Sequence, residues 1–139
     1  MSAYAQSRMA AYRNVAVQGA VINADPHGLV LMVMDGILQR LHTALHCIEH
    51  GDLARKAQLL HSCVTLIAEL NGSLNHQDGG EIAANLGGLY DYMSRRLIQA
   101  NLGNDVALIR EVFGLLDEIR GAWTAIGPQV RGAGRPAAA

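Results

Sequence analysis

Aromatic side chains are scarce in this sequence: one Phe, one Trp and four Tyr in 139 residues. The apolar mass comes instead from alanine, leucine, valine and isoleucine, which suits helices packed on helices. Cysteine is nearly absent too. Cys47 and Cys63 are the only two, too few for a disulfide scaffold. Each falls inside a helical pattern, where a thiol fills a small apolar gap. No stretch approaches 18 uninterrupted apolar residues, so no membrane span is expected. The start, MSAYAQSRMAAYR, lacks the apolar run of a signal peptide. A basic excess is missing as well. Residues 26–126 hold seven basic against eleven acidic residues, a net of -4, between mildly basic flanks. That excludes a nucleic-acid footprint. The expectation is a cytoplasmic protein with no nucleic-acid partner and no stable membrane insertion.

What is present is helical periodicity. Asp25-Pro26 opens the first long pattern, with Asp as cap and Pro at the first helical position. Leu29, Val33, Ile37, Leu41, Leu45 and Ile48 follow at spacings of four and three. Gly51 closes this helix and Asp52 caps the next, whose stripe is Leu53, Ala57, Leu60, Val64, Ile67, Asn71 and Leu74. Asp78 with Glu81 resembles a capping box and predicts the start of a third helix. Its face is Ile82, Leu86, Leu89, Met93, Leu97 and Ala100, and Gly103 ends it. Asn104-Asp105 opens a fourth, carrying Val106, Ile109, Phe113, Leu116, Trp123 and Ile126, which Gly127-Pro128 should stop.

Helices of about 20–25 residues, roughly 30–37 Å long, joined by short links favour antiparallel neighbours. The expected fold is all-α: an antiparallel four-helix bundle over residues 25–127. Residues 1–24 should lie on it as an N-terminal cap segment, and residues 128–139 should form a disordered tail.

Chemistry-bearing motifs are few. The hydroxyl residues have no nucleophile-elbow or glycine-rich setting. Gly79-Gly80 precedes a helix, but with Asp78 and Glu81 beside it and no lysine it does not suit a phosphate. His42, His46 and His50, in HTALHCIEH, share one helical face and could chelate a metal with Glu49 or Cys47 nearby. The plain structural reading is a solvated face at a helix C-terminus, where imidazolium also suits the dipole. Neither an H-E-x-x-H order nor a paired-cysteine motif accompanies them. No catalytic residue and no cofactor are expected. A small metal-binding bundle using His42, His46 and His50 is the alternative reading.

Two features remain. Apolar residues exceed what one core stripe needs: Val30, Met32, Met34 and Leu38; Leu59, Cys63, Leu66 and Leu70; Tyr90, Tyr92 and Ile98. They are either a wide core or a partner groove. The third helix also places Gly87-Gly88 in its middle, where each glycine costs roughly 1 kcal/mol against alanine. That pair suits a close backbone approach, by a neighbouring helix or by a bound one.

The ordered set of Tyr12, Pro26 with Leu29, Gly51-Asp52, Gly79-Gly80, Ile82-Ala83, Asn85-Leu86, Leu89-Tyr90, Tyr92, Ala100-Asn101, Glu111-Val112 and Ala122-Trp123 resembles the FliS family of flagellin export chaperones. The resemblance spans about residues 12–126. The run Ile22-Asn23-Ala24-Asp25 departs from the Thr, Ala and Ser that the family often carries before the proline. The resemblance implies a non-enzymatic chaperone that binds the C-terminal region of flagellin, prevents premature polymerisation and delivers it to the flagellar type III export gate. The flagellin segment would wrap the bundle, and the N-terminal segment would lie at part of the empty site. Tyr12, Leu29, Met32, Ile82, Asn85, Leu86, Leu89, Tyr90, Met93 and Asn101 are the expected partner-binding residues. Whether a co-chaperone or regulator also binds is left open.

Overall fold

The computed structural model describes the backbone of residues 25–133 and the side chains of residues 25–127. The expected cap segment, with Tyr12, lies outside the described residues, as do residues 134–139. Among the described residues the fold is all-α, with four helices: α1 (Pro26–Glu49), α2 (Leu53–Gly72), α3 (His76–Gly103) and α4 (Val106–Ala133). The described residues divide into two compact units, 36–116 and 25–35 with 117–133.

Most helix boundaries follow from side-chain capping. Asp25 accepts from Gly28 N at 2.7 Å, satisfying one of the donors that a helix start leaves open. Gly51, at φ 77°, takes the left-handed position after α1. Asp52 accepts from Arg55 N at 3.2 Å and caps α2. Asp105 does the same for α4, accepting from Leu108 N at 3.3 Å.

Three boundaries differ from the sequence expectation. Asn75, not Asp78, caps α3: its Oδ1 accepts from Asp78 N, and its Nδ2 donates to Asp78 Oδ2, both at 3.0 Å. Asp78 is therefore the inner acid of a capping pair that starts three residues earlier. The helix then bends at Gly80, whose φ of 51° and ψ of -121° suit only a residue without a side chain. At the other end of α3 the left-handed residue is Asn104 (φ 51°), not Gly103. Asparagine tolerates this region because its short polar side chain bonds locally. Finally, α4 runs through Gly127-Pro128 to Ala133. Proline fixes φ near the helical value, so it removes one hydrogen bond without ruling out helix.

In the unit Gly36–Leu116 the buried residues come from all four helices. Ile37, Leu41 and Ala44 of α1 and Leu60, Cys63, Ile67 and Leu70 of α2 are buried. So are Ala83, Met93, Leu97 and Ala100 of α3 and Ile109, Val112 and Leu116 of α4. Part of the apolar excess, Met34, Leu38, Cys63 and Leu70, is core. Both cysteines are free and buried. Burial pushes the Cys63 thiol up to about 12, only partly offset by the Arg40 guanidinium, and its Sγ lies 3.7 Å from Ile37 O.

Two stripes are rotated from the expected ones. The buried seam of α2 is Lys56, Leu60, Cys63, Ile67 and Leu70, which leaves Leu53 exposed. The seam of α3 is Ala83, Gly87, Tyr90, Met93, Leu97 and Ala100, which leaves Ile82 72% exposed. In the first half of α3 the expected stripe takes the bulkier Ile82 and Leu86, whereas the seam is taken by the small Ala83 and Gly87.

The other unit is fastened by a reciprocal pair. His27 Nε2 donates to Trp123 O at 2.6 Å, and Trp123 Nε1 donates to His27 O at 3.0 Å. Their rings stack with centroids 4.7 Å apart. Arg120, about one turn before Trp123, forms an ion pair with Asp35.

The mid-helix glycines now separate. A Cβ on Gly87 would lie 3.3 Å from Asn71 Oδ1 and 3.6 Å from Leu74 Cδ1, whereas one on Gly88 would meet nothing within 4 Å. Gly87 is therefore a packing residue within the bundle. Gly88→Ala should stabilise the chain by about 0.5–1 kcal/mol through helix propensity alone. Gly87→Ala should gain less or lose, because Asn71 must yield. Urea unfolding of both variants tests this, and equal gains would remove the packing role of Gly87.

Candidate functional site

The antiparallel pair α2 and α3 does not close completely. Near the start of α2 and the end of α3 it leaves a groove of about 600 Å³. One wall is Ala57, Leu60, His61 and Val64 of α2, and the other is Leu97, Ile98 and Leu102 of α3. Each wall follows helical spacing, so the groove runs along both helices. Leu102 is 85% exposed and Ile98 52%. Leucine and isoleucine held out in water beside a groove mark a surface shaped for an apolar partner.

The polar end of the groove is Lys56 with Asn101. Lys56 is only 4% exposed. Its ammonium donates to Asn101 O at 2.9 Å and to Asn101 Oδ1 at 2.7 Å. Asn101 sits in the last turn of α3, where carbonyls lack intrahelical donors and the dipole favours a cation. A buried ammonium thus closes the end of α3, while its four-carbon stem covers apolar surface.

The expected site residues divide. Asn101 belongs to the groove. At about 100° per residue, Ile82, Asn85, Leu86 and Leu89 fall on the opposite flank of the buried α3 seam from Ile98 and Leu102. Of these, Ile82 and Leu89 are exposed, Asn85 is exposed and Leu86 is half-buried. Tyr90 and Met93, at 3% and 0% exposure, are buried, so their side chains are not docking surface in this conformation and can only shape the site from beneath. They follow the seam of α3, which Ala83 and Gly87 define. Leu29 and Met32 are half-buried on α1 in the other unit. Tyr12 lies outside the described residues.

Sequence reasoning missed Lys56 and the α2 wall. The signal was there: Lys56 stands at i−4 from Leu60 and i−7 from Cys63, on the buried seam rather than on a solvated face. Away from the groove, Tyr92 donates to Glu111 Oε2 at 2.7 Å and Arg96 Nε donates to Glu111 Oε1 at 3.1 Å, tying α3 to α4. No nucleophile–base pair stands out among the described residues. His46, Glu49 and His50 gather at the end of α1, and His42 falls outside that group. Among the described residues no helix is long and apolar enough to cross a membrane.

Comparison with known proteins names the family. The model of flagellar protein FliS matches residues 8–130. The chain belongs to the FliS family. The flagellar secretion chaperone FliS of Salmonella typhimurium is 45% identical over 127 residues, covering 91% of this chain and 94% of the relative. The flagellar secretion chaperone FliSB of Pseudomonas aeruginosa is 37% identical over 123 residues, covering 88% and 98%. FliS of Bacillus subtilis, also a flagellar secretion chaperone, is 41% identical over 106 residues, covering 76% and 78%. These FliS relatives are named as chaperones of flagellar secretion, and none of the three as an enzyme.

Lys56→Met keeps the stem and removes the charge. It leaves two Asn101 oxygens without their donor and should cost about 1–3 kcal/mol. Denaturant unfolding measures this. A variant as stable as the parent would mean that water replaces the ammonium without loss.

Proposed function

We propose that this FliS-family chain is a cytoplasmic, non-enzymatic chaperone for flagellin. It binds the C-terminal region of flagellin, holds the subunit back from polymerisation and delivers it to the flagellar type III export gate. The observation that carries the reading is the α2–α3 groove, with Ile98 and Leu102 exposed along one wall. An amphipathic segment laid in such a groove buries side chains at i, i+3, i+4 and i+7. A segment that winds round the bundle meets the second flank of α3 as well, at Ile82, Leu86 and Leu89. In the same reading, Tyr12 and the N-terminal segment cover part of the site when it is empty.

Apolar burial is the driving term, so the heat-capacity change of binding should be negative. The net charge of -4 over residues 26–126 supplies no strong attraction, so affinity should change little with salt.

Calorimetric titration of a flagellin C-terminal peptide into the full chain tests the proposal. Leu102→Asp and Ile98→Asp should each weaken binding by tenfold or more, about 1.4 kcal/mol. Both side chains are already exposed, so helical content should hold. Ile82→Asp reports on the second flank. Full affinity in all three variants would remove α3 from the interface, and a steep loss with salt would replace apolar burial by charge pairing.

A further inference from the structure

We propose that the C-terminal end of α1 is a surface site for a borderline divalent transition ion of the zinc class, held by His46, Glu49 and His50. The site is independent of the flagellin reading and lies on a different helix from the groove.

One donor atom from each of the three residues lies within 4.8 Å of the others, and all three side chains are exposed. Zinc bonds imidazole nitrogen and carboxylate oxygen at about 2.0–2.2 Å, which places donors around it roughly 3.3 Å apart in a tetrahedron. Exposed side chains close that difference by small rotamer changes, and the helical backbone keeps its place. His46 and His50 are four residues apart and Glu49 is three from His46, so all three project from one face of the last turn.

Two further features suit a cation. His50 Nδ1 lies 2.9 Å from His46 O. A carbonyl oxygen only accepts, so Nδ1 carries the proton and the Nε2 lone pair faces outward. Metal-bound histidines commonly have the second ring nitrogen fixed in this way. The carbonyls at the end of α1 also place partial negative charge under the cluster. Two imidazoles and one carboxylate select zinc, copper or nickel over calcium and magnesium, which take oxygen donors. Three protein donors leave a coordination position to water. His42 packs edge-on against His46 with centroids 5.4 Å apart and is a positioning residue for that ring.

Zinc chloride titrated into the tag-free full chain should bind at one ion per chain. His46→Ala and His50→Ala should each weaken it by roughly tenfold or more. His76→Ala, at an exposed histidine on α3, should leave it unchanged. Zinc should also raise the thermal midpoint of the parent chain, and the rise should vanish in His46→Ala. Circular dichroism establishes that the variants keep their helices. Absence of saturable binding by the parent chain, or equal affinity in the parent and both histidine variants, would overturn the site.

Discussion

The structure depends on how closely α2 and α3 approach each other. At one end of the pair Gly87 sits against Asn71 and Leu74 with no room for a further methyl group without a shift. At the other end Lys56 reaches the last turn of α3 and donates to both oxygens of Asn101. The first contact sets the spacing and the second sets the register. Between them the seams interleave Leu60, Cys63 and Ile67 of α2 with Met93, Leu97 and Ala100 of α3, all buried. A larger residue at position 87 or an uncharged one at 56 acts on the same pairing from opposite ends.

That constraint also explains why a groove exists. Ala83, Gly87 and Ala100 take seam positions of α3 beside Tyr90, Met93 and Leu97, so other large apolar residues are left on its flanks. Ile98 and Leu102 stand on one flank, and Ile82 and Leu89 on the other. A core that took every bulky apolar side chain would leave no docking surface. In this FliS-family chain the excess of apolar residues on the helices is divided between interior and walls, with Met34, Leu38 and Leu70 inside and Ile98 outside. The polar end, Lys56 with Asn101, needs no partner to be satisfied. The groove can therefore stand empty without exposing an unpaired charge.

Helix ends are governed by local chemistry, and most could be read directly. Asp25, Asp52 and Asp105 cap the helices where their spacing suggests. Asn75 is hard to recognise as a cap because Asp78 and Glu81 form a similar signature three residues later. Only the bend at Gly80 shows that the first turn of α3 is separate from the helix that follows. Asn104, read as the start of α4, ends α3, since its left-handed backbone serves the preceding helix.

The sequence by itself determined the class and the family. Periodic apolar spacing and capping residues act over a few positions, so four helices were legible in it, and the ordered motif from Tyr12 to Trp123 pointed to the FliS family. Tertiary structure alone decided which face of each helix turns inward. Ile82 and Leu89 are larger and more apolar than Ala83 and Gly87, yet the smaller pair lies in the seam. The choice depends on the distance between two backbones, which no single helix encodes. For the same reason Tyr90 and Met93 lie buried, and Lys56, a residue type usually solvated, closes the end of a helix 45 positions away.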